Sequence, residues 1–347
     1  NHLVMKNFVK IVLALTTFLF SNSVKAQVAP SIEWQKCFGG TIDEGANSIQ
    51  QTTDGGFIVA GYSNSTDGDV TGNHGNQDYW IVKLDMNGNL VWQKSLGGSN
   101  DDWANSIQQT VDGGFIVAGS SYSDDGDVGG NQGDHDSWIV KLDTIGNLVW
   151  QRNFGGPAGE EAFSIQQTTD GGFIVGGWSG SNSGDVSGNH GNIDCWIMKL
   201  DINGNLVWQK SMGGSSGDYF QSVQQTIDGG FIVAGETESN DFDVTGNHGN
   251  RDYWIVKLDT GGILIWQQCL GGDSIERAYS VDQIIDGGFI VGGYSKSNNE
   301  NVSGNQGAYD YWIVKLDTIG NVVWQRSLGG SSGDQAYSIQ QTSDAGF

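Results

Sequence analysis

One period governs this chain. A tryptophan returns at Trp34, Trp92, Trp150, Trp208, Trp266 and Trp324, each 58 residues after the last, with no insertion or deletion. A segment repeated in register cannot bury its hydrophobic faces alone, so its copies must stack and share a continuous core. Chain length then says little about domain number. The informative question is what one repeat folds into.

In the copy spanning residues 46–98, four short segments have strand character. Residues 46–52 (strand A) are fairly polar. Asp54, Gly55 and Gly56 form a tight turn, because glycine accepts the positive φ that hairpins need. Residues 57–62 (strand B) and 79–84 (strand C) are apolar on both faces apart from Lys83, as strands sandwiched between layers are. Residues 63–78 form a long loop rich in Gly, Asn and Asp. Residues 85–89 make a second hairpin turn, and residues 90–96 are strand D. Four antiparallel strands per repeat are the signature of a β-propeller blade. The prediction is an all-β propeller with five complete blades at 46–98, 104–156, 162–214, 220–272 and 278–330. A lone strand D at 32–38 precedes them, and a lone strand A at 336–342 follows. Together these flanks lack a strand C, so the chain reads as a fragment of a longer protein. Phe57, Trp80, Trp92 and their counterparts are expected to pack between blades.

The runs Gly-Gly-Phe-Ile-Val-Ala-Gly (55–61), Tyr-Trp-Ile-Val-Lys-Leu-Asp (79–85) and Gly-Asn-Leu-Val-Trp-Gln (88–93) resemble the delta-60-type repeats of exported Bacteroidetes proteins. Many of those carry a C-terminal sorting domain for type IX secretion. The segment Lys-Leu-Asp-x-x-Gly-Asn-x-x-Trp is also similar to the repeat of PQQ-type propellers. The resemblance spans residues 31–347 and implies a secreted or surface propeller. No sorting domain is recognisable in the sequence, and a PQQ site cannot be assembled from these repeats.

Residues 5–26 read independently as a secretory signal. Met5, Lys6 and Lys10 give a basic start, residues 11–20 an apolar run, and Ala26 a small residue before Gln27. The run is about half of what a bilayer span needs, so no transmembrane helix is expected. Leaving out residues 1–26 removes three lysines and no acid. The rest holds 13 basic and 40 acidic residues, a net charge of −27. Such a surface repels nucleic acid and anionic membranes. Cys37, Cys195 and Cys269 are too few and too scattered for a disulfide framework and read as buried packing choices.

The candidates for function lie at one end of the blades. Strand alternation sends the tight A–B and C–D turns to one face and the B–C loops and D–A links to the other. Variation among copies concentrates on the second face. Tyr62, Ser120, Trp178, Glu236 and Tyr294 share one position; Gly45, Trp103, Glu161, Tyr219 and Arg277 share another. A fixed scaffold with variable loops suits a binding surface. Trp103, Trp178, Tyr62, Tyr219 and Tyr294 are therefore ligand-stacking candidates, with a glycan or a protein as partner. The same face is acidic. Asp67, Asp69, Asn73 and Asp78 recur as Asp125, Asp127, Asn131 and Asp136, and as Asp241, Asp243, Asn247 and Asp252. Closely spaced oxygens in a Gly-rich loop suit Ca²⁺, although such residues also cap their own turns. His74, His190 and His248 alternate with Gln132 and Gln306 and read as surface hydrogen-bonding groups. The repeated basic residues on strands C and D, Lys83 and Lys94 among them, are expected to show charge at an outer edge. No phosphate loop, zinc spacing or nucleophile elbow is present. The sequence thus points to an exported binding or scaffold module. A hydrolase or lyase using loop carboxylates is the enzymatic alternative, and a purely structural spacer is the third.

Overall fold

The structure, a computed structural model, describes residues 31–347; the signal reading of residues 5–26 lies outside them. The first repeat forms β1 (Glu44–Gln51), β2 (Phe57–Ser63), β3 (Asp78–Leu84) and β4 (Leu90–Leu96), paired antiparallel in that order. Four further sheets repeat this pattern, giving five four-stranded blades among the described residues. All five belong to one unit, Lys36–Phe347. The propeller prediction holds, and the strand limits agree to within two residues.

The innermost strands, β1 and its counterparts, stand side by side. Ile49, Ile107, Ile165, Val223 and Val281 line a central channel together with Gln50, Gln108, Gln166 and Gln224. These glutamines do more than face water. Gln109 N–H donates to Gln50 Oε1 at 2.6 Å, and Gln167, Gln225 and Gln283 do the same to Gln108, Gln166 and Gln224. Each inner strand therefore satisfies backbone donors of the next blade through a side chain, since no direct strand ladder joins the blades.

The core sits between blades. Trp92 of blade one packs edge-on against Phe115 of blade two, with ring centroids 5.7 Å apart. The same pair recurs at Trp150–Phe173, Trp208–Phe231 and Trp266–Phe289. Tyr79 of blade one reaches Trp138 of blade two at 4.5 Å and donates its hydroxyl to the Trp138 carbonyl. The aromatic periodicity is thus the interface between repeats, as expected.

Three details differ from the sequence expectations. Neither flank, 32–38 nor 336–342, forms a strand. All the strands of the described residues are taken up in the five four-stranded blades, so none is left to form a ladder with either flank. The second flank still docks as an inner strand does: Ile339 N–H donates to Ser280 Oγ at 3.3 Å, and Ile285 N–H donates to Gln341 Oε1 at 2.8 Å. Cys37 is exposed, unlike the buried Cys195 and Cys269, because it lies on the first flank, outside the blade sheets. Finally, Lys83, Lys141, Lys199 and Lys257 are buried and do not show charge at an edge. Lys141 donates to the Leu142 carbonyl at 3.0 Å and pairs with Asp112 of the A–B turn at 3.0 Å. Its stem fills apolar space while its ammonium closes the turn. Lys141→Ala should lower stability by about 1–2 kcal/mol, the size of a charge-assisted bond with packing loss. Denaturant melts of the two proteins check this.

A candidate binding surface at the channel mouth

Every inner strand carries a bulge near its start, between Ala46 and Ser48 in blade one and between Ala104 and Ser106 in blade two. The bulge brings the Trp103 carbonyl against Gly119, where any Cβ would overlap that oxygen. Gly61, Gly177, Gly235 and Gly293 meet the same constraint. A bulge re-aims neighbouring side chains, and here those are the variable residues. Register places them opposite one another: Trp103 against Ser120, Glu161 against Trp178, Tyr219 against Glu236, Arg277 against Tyr294.

The outcome is an arc of rings around the mouth. Trp103 meets Tyr122 at 5.7 Å, Tyr122 stacks on His135 at 4.4 Å, and His135 meets Trp178 at 5.7 Å. Trp178 then meets Tyr219 at 6.2 Å, and the Arg251 guanidinium lies 5.8 Å from the Tyr219 ring. Farther on, Tyr294 lies between Tyr279 at 6.1 Å and Tyr309 at 5.2 Å. Trp103, Trp178 and Tyr219 are half-buried. The structure thus brings together three of the five stacking candidates, Trp103, Trp178 and Tyr219, whereas Tyr294 is buried in a separate cluster with Tyr279 and Tyr309. Tyr62 in blade one is half-buried and closes over Gly45 instead.

Tyr122, His135, Tyr279, Tyr309 and Arg251 were not singled out from sequence. The signal was available. They occupy three further variable positions: that of Asn64, Tyr122, Gly180, Glu238 and Lys296; that of Gln77, His135, Ile193, Arg251 and Tyr309; and that of Asn47, Asn105, Phe163, Gln221 and Tyr279. The backbone beneath these side chains is the same in each copy. The Glu160 N–H donates to the His135 carbonyl at 2.8 Å, and Glu276 N–H to the Arg251 carbonyl at 2.8 Å. The chain repeats its main-chain bonds and changes only what projects from them.

Two glutamates sit within the arc. Burial pushes the Glu161 carboxyl up, although Asn105 donates to it at 2.9 Å. Burial likewise pushes Glu236 up, against the pull of Arg277 and Arg251.

The acidic loop residues do different work. Asp67 accepts the Thr41 N–H at 2.8 Å, Asp125 that of Ser99 at 2.7 Å, and Asp241 that of Ser215 at 2.8 Å. Asp69, Asp127 and Asp243 accept N–H groups of Gly39, Gly97 and Gly213. Asn73, Asn131 and Asn247 donate to Ser63, Ser121 and Thr237 carbonyls. Each loop thereby clamps the link that enters its own blade. Among the described residues no group of three or more His, Cys, Asp or Glu side chains is gathered as a metal centre. Asp78, Asp136 and Asp252 are fully buried. His74 and His248 bond Asp78 and Asp252 at 2.8 and 2.6 Å, and Gln132 N–H bonds Asp136 at 2.8 Å.

No family model matches the chain. It is 26% identical over 225 residues to the regulatory protein FlaEY of Caulobacter vibrioides, a match covering 59% of this chain and 23% of that protein. The chain thus spans under a quarter of the length of this relative. Among solved structures it is similar to the Pan2 WD40 domain of Neurospora crassa, at 11% identity and a TM-score of 0.49, over 82% of this chain and 66% of that one. It is also similar to a protein of unknown function from Bacteroides caccae, at 15% identity and a TM-score of 0.32, over 76% and 96% of the two chains. Among the described residues no helix is long and apolar enough to cross a membrane.

Proposed function

We propose that this propeller is an exported binding module that takes a carbohydrate chain on the aromatic arc at the channel mouth. The observation that carries the reading is the arc itself: side chains that vary from blade to blade, set on an unvarying backbone, meet ring to ring from blade two to blade four. Half-buried Trp and Tyr rings offer rigid amphipathic area at low entropic cost. Nucleic-acid bases could also stack, but the net charge of −24 opposes a phosphate backbone. The export part of the proposal rests on the signal-like residues 5–26 and on the resemblance to exported delta-60-type repeats. Calcium, the other ligand suited to acidic loops, has less support, because those oxygens already accept main-chain N–H groups.

Trp178 lies at the centre of the arc, with a neighbour on either side. Trp178→Ala should weaken carbohydrate binding at least tenfold, since buried aromatic anchors dominate such surfaces. Its melting temperature should stay close to that of the parent. A glycan array probed with folded parent protein checks the ligand class first. A blank array, with a protein partner recovered by pull-down, would move the arc from sugar to protein recognition.

A further inference from the structure

Of the 13 basic residues beyond residue 26, ten fall on two repeated positions. The remaining three are Arg251, Arg277 and Lys296, and each occupies one of the variable positions described above. All three belong to blades four and five, at the same sector of the mouth. Among the described residues, that grouping is the one place where cations gather away from the repeat pattern.

We propose that Arg251, Arg277 and Lys296 form a carboxylate-binding subsite, so that the carbohydrate held by the arc carries an isolated acidic sugar, of the uronic acid class. The inference rests on the carbohydrate reading of the arc and specifies its ligand. Arg251 Nη1 pairs with Glu236 at 3.1 Å and its Nη2 with Glu238; Arg277 bonds Glu236 through Nε. Glu236 is buried, so these contacts fix both guanidinium planes from below. Lys296 is exposed, lies 5.7 Å from the Tyr309 ring, and forms no ion pair among the described residues. Three cations therefore face two carboxylates. Asp252 and Glu276, next in sequence to Arg251 and Arg277, turn away into the blade junction, where both converge on Gly271. Charge for charge one cation is left over, and that surplus suits an incoming anion. Arginine is also the residue whose planar fork matches a carboxylate. The subsite joins the stacking surface through Tyr219, which touches both Trp178 and Arg251.

The anion must be isolated. Screening limits charge effects to about 8 Å at physiological salt. A single carboxylate can seat in this sector alone, whereas a polyanion would also lie over the acidic loops of the other blades.

The test measures binding of the intact chain to a glucuronate-terminated tetrasaccharide, its carboxyl-reduced counterpart, and heparin, by calorimetry at physiological salt. The acidic tetrasaccharide should bind at least tenfold more tightly than the reduced one, and heparin weakly. Lys296→Glu should abolish the preference while leaving the reduced sugar unaffected. The double variant Glu236→Gln with Arg277→Gln, which leaves no unpaired buried charge, should do likewise. Trp178→Ala should weaken both tetrasaccharides. Equal affinity for the acidic and reduced forms, or a preference that survives both charge variants, overturns the subsite and leaves the carbohydrate reading standing. Failure of the parent to bind either form, with heparin bound instead, overturns the isolated-carboxylate inference outright. Binding of none of the three overturns both readings.

Discussion

Trp138→Ala should lower the unfolding free energy by about 3–5 kcal/mol, the cost of truncating a large buried aromatic. Trp138 is fully buried in the cluster shared by blades one and two. Its ring meets Tyr79 of the preceding blade at 4.5 Å, and its Nε1–H donates to Gln151 at 3.0 Å. Alanine would leave a cavity at the blade interface and a glutamine carbonyl without its donor. Because each repeat contacts chiefly its neighbours, the loss should also reduce cooperativity between blades one and two. Denaturant titration followed by intrinsic fluorescence reads both the midpoint and the slope. A change under 1 kcal/mol would mean that the blades do not depend on this shared core. Trp103→Ala, at the half-buried rim of the mouth, is the contrasting case and should cost far less.

Stability should fall as pH rises from about 4 to 7. Every blade junction holds two buried carboxyls that converge on one glycine. Beside Gly97, a Cβ would lie 2.5 Å from Asp102 Oδ2 and 2.7 Å from Asp78 Oδ1. The Oδ1 atoms of Asp78, Asp136, Asp194, Asp252 and Asp310 are buried without a hydrogen-bond partner. Burial raises Asp102 to about 6, with Asp78 adding to the effect, and raises Asp218 to about 6. Asp136 reaches about 7, through burial first and then, against the Gln132 N–H bond, the charges of Glu160, Asp185 and Asp124. A carboxyl whose pKa is higher folded than unfolded binds its proton more tightly in the native state. Its stabilising contribution is complete below the unfolded pKa and is lost as pH rises through the folded value. The opposite holds for Asp54, lowered to about 2 by the Thr52 hydroxyl and then Lys83; its contribution is lost only as pH falls through that value. The optimum should therefore lie near pH 4, between the two sets. Asp136→Asn isolates one junction. The amide keeps the bond from Gln132 N–H and can turn an N–H toward Glu160. It should raise stability at pH 8 by about 2 kcal/mol, from the one to three pKa units involved, and give nothing at pH 4. Melts across that range check it; a parent protein equally stable at pH 4 and pH 8 would remove the junction carboxyls as the cause.

Much of this was legible in the sequence because it depends on short-range rules. The recurrence of Trp92 and Phe57 gave the blade, and Asp54-Gly55-Gly56 and Gly88 gave the turns. Alternation of strands then assigned loops to faces, so Trp103 and Trp178 could be picked as mouth residues before any contact was known. Copy-to-copy variation was the reliable guide, and following it into the positions of Tyr122 and His135 would have completed the arc. Composition misled where burial depends on the neighbouring blade. Lys83, Lys141, Lys199 and Lys257 read as edge charges, yet they are buried, with their ammonium groups met by an aspartate of the A–B turn 29 residues earlier. Asp67 and Asp69 read either as Ca²⁺ ligands or as caps of their own turns, and which N–H groups they accept, those of the link that enters the blade about half a repeat earlier, was not legible.

The sequence by itself determined the repeat, its four strands, the position of every core tryptophan and the end of the blades that varies. These follow from periodicity and local backbone preference, which are properties of neighbouring residues. Only the tertiary structure decided which variable residues meet, that two carboxyls face each other at each junction, and that three unrelated cations share one sector. Those relations join residues tens of positions apart, where no local preference acts and only the packing of one blade against the next sets the distance.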